Sequence, residues 1–254
     1  MTTFLLILLA LSILAMFALQ LYLLRKVRRV DLHVWEMAQR LPREVSECFR
    51  QLESLQSLYW DLRPERALPP TRGWAGSPDF LREVAGHLFA ARPTVVVECS
   101  SGASTVVAAR CLQILGGGHV YSLEHAPEYA SATRRLLASH GLSAWATVID
   151  APLVATTTDA GSQPWYDLAN LPAGPIDVLV IDGPPADTAP LARYPAGPLL
   201  FPRLREGGAV FLDDADRPDE QEIVARWQRS FPGLDLRRRP SEKGLAVFRR
   251  GDGN

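Results

Sequence analysis

Carboxylates follow four short apolar runs of this sequence. Glu98, Glu124 and Asp182 each end one run, and the pair Asp213-Asp214 ends the fourth. Runs this short and rich in Val, Ile and Leu are typical of strands buried on both faces of a parallel sheet. Because ligands of open α/β sheets bind beyond the carboxyl ends of the strands, we expect these acids to line one rim. There they can hold sugar hydroxyls, a cation or a proton.

The segment after the first run is made of small residues. It reads Glu98-Cys-Ser-Ser-Gly-Ala-Ser-Thr105 and precedes a predicted helix, whose first N–H groups are free to bind a ligand. Ser100, Gly102 and Ser104 are therefore candidate binding residues. A dinucleotide fingerprint would read G-x-G-x-x-G here, and the single glycine disfavours a nicotinamide cofactor. A plain strand-to-helix turn is the alternative.

Two further strand-end acids suggest a nucleoside. Glu124 lies 26 positions after Glu98, where an acid typically accepts hydrogen bonds from ribose hydroxyls. Asp150 ends the next predicted strand and could bind the adenine amine. Each acid alone could equally be a solvated strand end, but together with the small-residue loop they favour an adenosine ligand.

The acids of the last two runs form a candidate metal site. Asp182 and the pair Asp213-Asp214 should lie at the ends of neighbouring strands, and three carboxylates suit a hard cation such as Mg²⁺. Two alternatives remain open. Asp182 could contact a cofactor amine or cap a turn, and Asp213 or Asp214 could cap the following helix.

Alternating strands and helices must position these residues. The predicted strands are 94–98, 119–124, 145–150, 176–182, 208–213, 234–239 and 245–249, and the predicted helices are 79–91, 103–115, 127–140 and 219–231. This alternation indicates βαβ units and an α/β fold with a Rossmann-like, mostly parallel sheet. The last two strands flank Pro240-Ser-Glu-Lys-Gly244, which predicts a hairpin and hence an antiparallel last strand.

The amino-terminal segment predicts a membrane anchor. Residues 4–24 carry no charge, and 21 helical residues at ~1.5 Å each span about the thickness of a bilayer core. Arg25, Lys26, Arg28 and Arg29 follow at once, which predicts a single-pass protein of the cell membrane with its carboxyl side in the cytoplasm. A buried core helix or a cleaved signal peptide is the alternative.

Between the anchor and the sheet lies a predicted juxtamembrane region, residues 25–73. Its residues 30–62 have helical apolar spacing, with a kink or break expected at Pro42, and a linker rich in Pro and Gly follows. A homodimer through residues 30–62 is one interpretation, and packing against the domain or the membrane surface is the other. The predicted globular domain is 74–254.

Four motifs together resemble class I S-adenosylmethionine-dependent methyltransferases. They are Glu98-x-x-x-Gly102, Glu124-His125, Ile181-Asp-Gly-Pro-Pro185 and Gly207-Gly-Ala-Val-Phe-Leu-Asp-Asp214. The resemblance extends from about Trp74 to Arg250 and is greatest to catechol O-methyltransferase and the small bacterial methyltransferases related to it. It implies that the Glu98–Gly102 loop holds the methionine part of the cofactor. It also implies that Glu124 and His125 lie beside the ribose and Asp150 beside the adenine.

The same resemblance implies a metal-assisted acceptor site. Asp182, Asp213 and Asp214 then bind the divalent cation, which would lower the pKa of an acceptor hydroxyl. The family's catalytic lysine is absent, because Pro185 stands at its position and the chain has just two lysines, Lys26 and Lys243. His125, Asp182 or a metal-bound hydroxide could serve as the base, unless Lys243 reaches the site.

Residues beside the fourth strand could contact the acceptor. Trp165-Tyr-Asp167 and Leu191-Ala-Arg-Tyr194 supply aromatic and arginine side chains, and ordinary loop packing explains them equally well. The anchor suggests a small-molecule or lipid-linked hydroxyl acceptor. The net charge of −1 indicates no nucleic-acid partner.

The sequence therefore predicts a membrane-anchored O-methyltransferase that uses S-adenosylmethionine and a divalent cation such as Mg²⁺. A non-catalytic, cofactor-binding membrane scaffold is a second interpretation, favoured by the missing lysine and by Ser100. A nicotinamide-dependent oxidoreductase is a third, and the single glycine of the loop disfavours it.

Overall fold

A computed structural model describes residues 2–71, 73 and 75–251. The chain divides into two compact units, one up to Arg50 and one from Gln51 onward. The predicted start of the globular domain at Trp74, and its end at residues 252–254, lie outside the described residues.

The first unit is helical. It is formed by the larger part of the long helix α1 (Thr2–Leu62), which continues through Pro42. The expected break at Pro42 is wrong, because a proline removes one helical hydrogen bond while the flanking turns keep theirs. An 18-residue window of α1 has a mean hydropathy of 2.7 and is wholly exposed. By length and composition the helix could cross a membrane, although some core helices and signal sequences would meet the same criterion.

The second unit contains a seven-stranded sheet with helices around it. Its helices are α2 (Pro78–Ala91), α3 (Ala103–Leu115), α4 (Pro127–Ser139), α5 (Ala196–Leu200) and α6 (Pro218–Ser230). Its strands are β1 (Val95–Cys99), β2 (His119–Glu124), β3 (Ala146–Asp150), β4 (Leu153–Thr158), β5 (Gly161–Tyr166), β6 (Ile176–Ile181), β7 (Leu204–Leu212), β8 (Leu234–Arg239) and β9 (Leu245–Arg250).

The order of the strands in the main sheet is β3-β2-β1-β6-β7-β9-β8. β1, β2, β3, β6 and β7 are parallel, while β9 is antiparallel to both of its neighbours. The predicted parallel sheet with an antiparallel last strand is confirmed. Chain order reverses between β1 and β6, and the crevice at such a switch point is where α/β sheets bind ligands.

Each face of the sheet buries its own apolar cluster. Leu88 of α2 and Leu112 of α3 pack on one face, together with Leu58 and Leu62 from the last turns of α1. Trp227 of α6 packs on the other face. The alternating inward and outward side chains of the strands explain why two separate clusters form.

A hairpin that the sequence did not predict follows β3. β4 and β5 pair with each other as a separate two-stranded sheet, and Pro164 lies opposite Ala155. Proline argues against a strand in a central position, but each strand of a two-stranded sheet has a free edge that tolerates a missing N–H. This hairpin ends at Tyr166, beside the carboxyl ends of the main strands.

Candidate active site

A cavity of about 320 Å³ lies at the carboxyl ends of β1, β2, β6 and β7. Its size is typical of a small-molecule site. Of the predicted residues, the cavity is lined by Ser100, Gly102, Ser104, Glu124, His125, Asp182 and Asp214. The structure therefore brings most of the predicted site together at the switch point of the sheet.

The loop after β1 carries unusual backbone angles. Ser100 has φ 128° and Gly102 has φ 149°, in a region that favours glycine. A serine held at such an angle is strained, and strain of this kind is concentrated at ligand sites. Ser100 therefore takes the conformation of the glycine that the sequence lacks there.

Glu98 supports this loop from beneath. Its Oε2 accepts hydrogen bonds from the hydroxyls of Thr105 and Ser122, each at 2.6 Å. The hydroxyl of Thr105 in turn accepts the N–H of Gly102 at 3.0 Å. Burial raises the pKa of Glu98, although the hydroxyls of Ser104, Ser122 and Thr105 oppose the rise. Glu98 does not line the cavity, so it orients the loop indirectly, through the hydroxyl of Thr105.

Glu124, at the end of β2, does line the cavity. Ser101 donates its hydroxyl to Oε2 at 2.8 Å, and the N–H of Ala126 binds Oε1 at 3.0 Å. The Nδ1 atom of His125 lies 3.2 Å from the same Oε1. These contacts hold the carboxylate in one orientation, as recognition of two hydroxyls requires.

Asp150 lies elsewhere. Its side chain is 66% exposed and forms an ion pair with Arg134 at 2.8 Å, outside the cavity lining. β3 is an edge strand of the sheet, so its end is farther from the switch point than the ends of β1 and β2. This geometry offers no support for the predicted adenine contact of the Asp150 carboxylate.

The acids at the ends of β6 and β7 do converge. Asp182, Asp213 and Asp214 offer oxygens that all lie within 4.8 Å of one another. Burial raises the pKa of Asp182 to about 6, and an interaction with Arg193 opposes the rise. Burial and the two neighbouring carboxylates raise the pKa of Asp213 to about 8.

Arg193, which the sequence predicts in a loop beside the acceptor, lies inside this cluster. Its guanidinium contacts Asp214 at 2.8 Å, Asp182 at 3.3 Å and Glu220 at 3.7 Å. It also donates to the backbone carbonyls of Asp182 and Asp213, each at 3.0 Å. Burial by itself lowers the pKa of Arg193, but the surrounding acids outweigh this effect and raise it. Arg193 thus ties the ends of β6 and β7 together.

Two more cations reach Asp214. Arg217 binds its Oδ2 at 2.8 Å, and the Nζ atom of Lys243 lies 3.9 Å from its Oδ1. Lys243 comes from the β8–β9 turn and lines the cavity. The fold therefore places Lys243 at the site, a possibility that the sequence analysis left open.

The carboxylates still have oxygens to offer a cation. Both Oδ atoms of Asp213 and Oδ1 of Asp214 are buried without a hydrogen-bond partner in the part of the chain that the structure describes. Buried oxygens of this kind are normally satisfied, which is the observation that fits a metal ion. The donor set of three carboxylates also suits Mg²⁺.

A larger groove of about 780 Å³ lies on one face of the sheet instead. Charged side chains of α1, α2 and β8 form much of its wall, and none of the predicted site residues lines it. Because this groove is not at the carboxyl ends of the parallel strands, the smaller cavity is the candidate active site.

Comparisons with known proteins match the part of the chain that forms most of the cavity. Residues 97–215 match the profile of a family described as a methyltransferase domain. No curated protein matches the sequence.

Three similar solved structures have the same fold. An S-adenosylhomocysteine-bound methyltransferase of Podospora anserina is 14% identical, with 78% of this chain and 88% of that chain covered and a TM-score of 0.55. An O-methyltransferase of Streptomyces achromogenes involved in tomaymycin synthesis, in complex with S-adenosylmethionine, is 13% identical, with coverages of 79% and 89% and a TM-score of 0.52. An O-methyltransferase of Bacillus cereus in complex with S-adenosylhomocysteine is 17% identical, with coverages of 79% and 90% and a TM-score of 0.50.

Proposed function

We propose that this chain is a class I S-adenosylmethionine-dependent methyltransferase that methylates a hydroxyl group of its acceptor, supported by the match of residues 97–215 to a methyltransferase domain and by the shared fold. The observation that carries this proposal is the single cavity at the switch point. It joins the Ser100–Ser104 loop and Glu124 on one side to Asp182 and Asp214 on the other. A cofactor and an acceptor bound there would meet in one cavity.

The cofactor occupies the side formed by β1 and β2. Glu124 accepts hydrogen bonds from the ribose hydroxyls, because its carboxylate lines the cavity and is held by Ser101 and Ala126. The strained loop at Ser100 and Gly102 and the first N–H groups of α3 contact the methionine part. His125 covers the ribose side. Transfer from a sulfonium is an in-line displacement, so positioning supplies much of the catalysis.

The acceptor occupies the side formed by β6 and β7. Asp182, Asp213 and Asp214 would hold a divalent cation there, supported by the unpartnered oxygens of Asp213 and Asp214. When bound, such a cation lowers the pKa of a coordinated hydroxyl and orients its oxygen. Arg193 holds the three acids in register, and Arg217 and Lys243 offset part of their charge.

Three side chains that line the cavity could serve as the base, namely Asp182, His125 and Lys243. Asp182 lies on the acceptor side, and burial raises its pKa to about 6, closer to neutral pH than an ordinary aspartate. His125 lies on the cofactor side against Glu124 and edge-on to Tyr166. Lys243 lies 3.9 Å from Asp214 on the acceptor side. Because coordination of a cation would lower the pKa of Asp182, Lys243 and His125 are the groups left to receive the acceptor's proton in the cation-bound enzyme.

We further propose that α1 anchors the protein in the cell membrane with its domain in the cytoplasm. The support is an exposed apolar window followed by four basic residues. Such an anchor favours a lipid-linked or membrane-associated acceptor. Residues 30–62, which expose Leu32, Trp35 and Leu52, support the proposal of a homodimer through this helix.

Calorimetry on the full chain in detergent tests the central proposal. We expect S-adenosylmethionine and S-adenosylhomocysteine to bind with one site per chain, while NADH does not. Incubation with methyl-labelled cofactor and membrane extract should transfer label to a lipid or small molecule. Binding without transfer to any acceptor would favour the non-catalytic scaffold, and binding of NADH alone would favour the oxidoreductase.

A further inference from the structure

Tyr166 places a buried hydroxyl in the cavity. The residue ends β5 of the unpredicted hairpin and is 1% exposed. It lines the cavity, yet its hydroxyl has no hydrogen-bond partner in the ranges that the structure describes. Leaving such a group unpaired costs free energy, and native structures rarely do so. A ligand that accepts a hydrogen bond would remove this cost.

The hydroxyl lies at the switch point itself. A Cβ atom built on Gly183 would collide with the Tyr166 hydroxyl and would contact Ser100 and the carbonyl oxygen of Cys99. Tyr166 therefore reaches between the loop after β1 and the loop after β6. The backbone joins the same two loops, because Asp182 donates its N–H to the carbonyl of Cys99 at 3.1 Å.

The surroundings keep this hydroxyl protonated. Burial raises the pKa of Tyr166 well above 10, and the charges of Glu124 and Asp182 add to the rise. The group is therefore a hydrogen-bond donor in the working pH range. It suits an acceptor atom of the ligand, and a donor to a charged acceptor forms a stronger bond than a donor to a neutral one.

The position of the Tyr166 hydroxyl indicates which part of the cofactor accepts its hydrogen bond. Glu124, which we assign to the ribose, ends β2, one strand to the side of the switch point. The other end of the cofactor must then extend toward β6, past Ser100 and Gly183. The nearby N-terminus of α3 has a positive dipole end and favours a negative group in this space.

We propose that Tyr166 donates a hydrogen bond to the α-carboxylate of the cofactor's methionine part, an inference that rests on the proposed methyltransferase function. The hairpin β4–β5 thereby completes the cofactor site with a side chain from outside the main sheet. Tyr166 is a binding and positioning residue, and it takes no part in proton transfer.

The variant Tyr166→Phe tests this assignment with two ligands. S-adenosylhomocysteine has the methionine-type carboxylate, and 5′-methylthioadenosine keeps the adenosine and the sulfur without it. By calorimetry on the full chain, we expect the variant to lose roughly tenfold to a hundredfold in affinity for S-adenosylhomocysteine, as for one hydrogen bond to a charged group. Its affinity for 5′-methylthioadenosine should stay within about twofold of the wild type.

Stability without ligand gives a second readout. Because the hydroxyl has no partner in the free protein, Tyr166→Phe should unfold in urea at the same concentration as the wild type or a higher one. Tyr121→Phe, on β2 away from the cavity, is the matched control and should bind both ligands normally. Equal losses for both ligands, no loss for either, or a lower urea midpoint would overturn the assignment. If the wild type binds neither ligand, the proposed function itself fails and the assignment fails with it.

Discussion

Thr105 and Glu98 form a buried hydrogen bond of 2.6 Å that links the first strand to the first turn of α3. The same threonine oxygen accepts the N–H of Gly102, so the carboxylate controls the cofactor loop through an intermediate side chain. Glu98 therefore acts at one remove from the cavity, although its sequence position suggests a direct contact.

The first prediction concerns this link. Thr105→Val keeps the shape of the side chain but removes its hydrogen bonds with Glu98, Ser122 and Gly102, and leaves the Gly102 N–H without its acceptor. We expect the free energy of unfolding to fall by about 1–3 kcal/mol and affinity for S-adenosylhomocysteine to weaken, because the loop loses its support. Urea denaturation and calorimetry measure the two effects. Thr147→Val, on β3, removes only an exposed hydrogen bond with His119, so it should change stability by less than Thr105→Val does and leave the binding unchanged.

The second prediction separates the two strand-end acids of the cofactor side. Glu124→Gln should weaken S-adenosylhomocysteine binding by roughly tenfold to a hundredfold, since charge-assisted hydrogen bonds to the ribose would be lost. Asp150→Asn is the matched control and should bind normally, because Asp150 pairs with Arg134 outside the cavity. Calorimetry decides between them, and a large loss at Asp150 would restore its predicted contact with adenine.

The third prediction concerns the metal. After dialysis against a chelator, the full chain should bind one Mg²⁺ or Mn²⁺ per chain in calorimetry. Asp213→Asn should weaken this binding by more than the roughly tenfold that outer-shell changes typically produce, since it replaces a direct carboxylate ligand. Absence of binding to the wild type would mean that Arg193, Arg217 and Lys243 alone balance the acids.

The fourth prediction concerns Arg193. Arg193→Met should destabilise the domain by about 3–5 kcal/mol, because it leaves Asp182, Asp214 and Glu220 without their buried cation. Arg205→Met is the control, since the Arg205 side chain is exposed where it pairs with the half-buried Asp177, and its loss should change stability by about 1 kcal/mol or less. Chemical denaturation compares the two, and similar losses would contradict the role of the buried network.

The fifth prediction concerns acid stability. Burial lowers the pKa of His87 from 6.5 to about 4, with a smaller effect from Arg249. Between these values the unfolded chain binds a proton that the folded chain does not, so stability should fall as pH drops from 6.5 toward 4. His87→Phe should reduce the fall in urea midpoint between pH 7 and pH 5. His33→Gln, at an exposed site of α1, should leave the wild-type fall unchanged.

Local patterns were sufficient to predict most of the sheet. The apolar runs ending at Glu98, Glu124 and Asp182 became β1, β2 and β6, because a strand buried on both faces has a distinctive composition. The β8–β9 hairpin was equally visible from its turn. The β4–β5 hairpin was not visible from the sequence. Pro164 is tolerated there because β5 pairs with β4 alone and has a free edge, which the local sequence does not reveal.

The sequence by itself determined which acids end the strands and that Asp182 and Asp213-Asp214 would be neighbours. The tertiary structure alone decided that Arg193, Tyr166 and Lys243 meet them in one cavity. Tyr166 comes from the end of β5, Arg193 from the loop before α5 and Lys243 from the β8–β9 turn. Their contacts depend on strand order and hairpin packing, which no local periodicity encodes. Exposure of Asp150 was decided in the same way, by the place of β3 at the edge of the sheet.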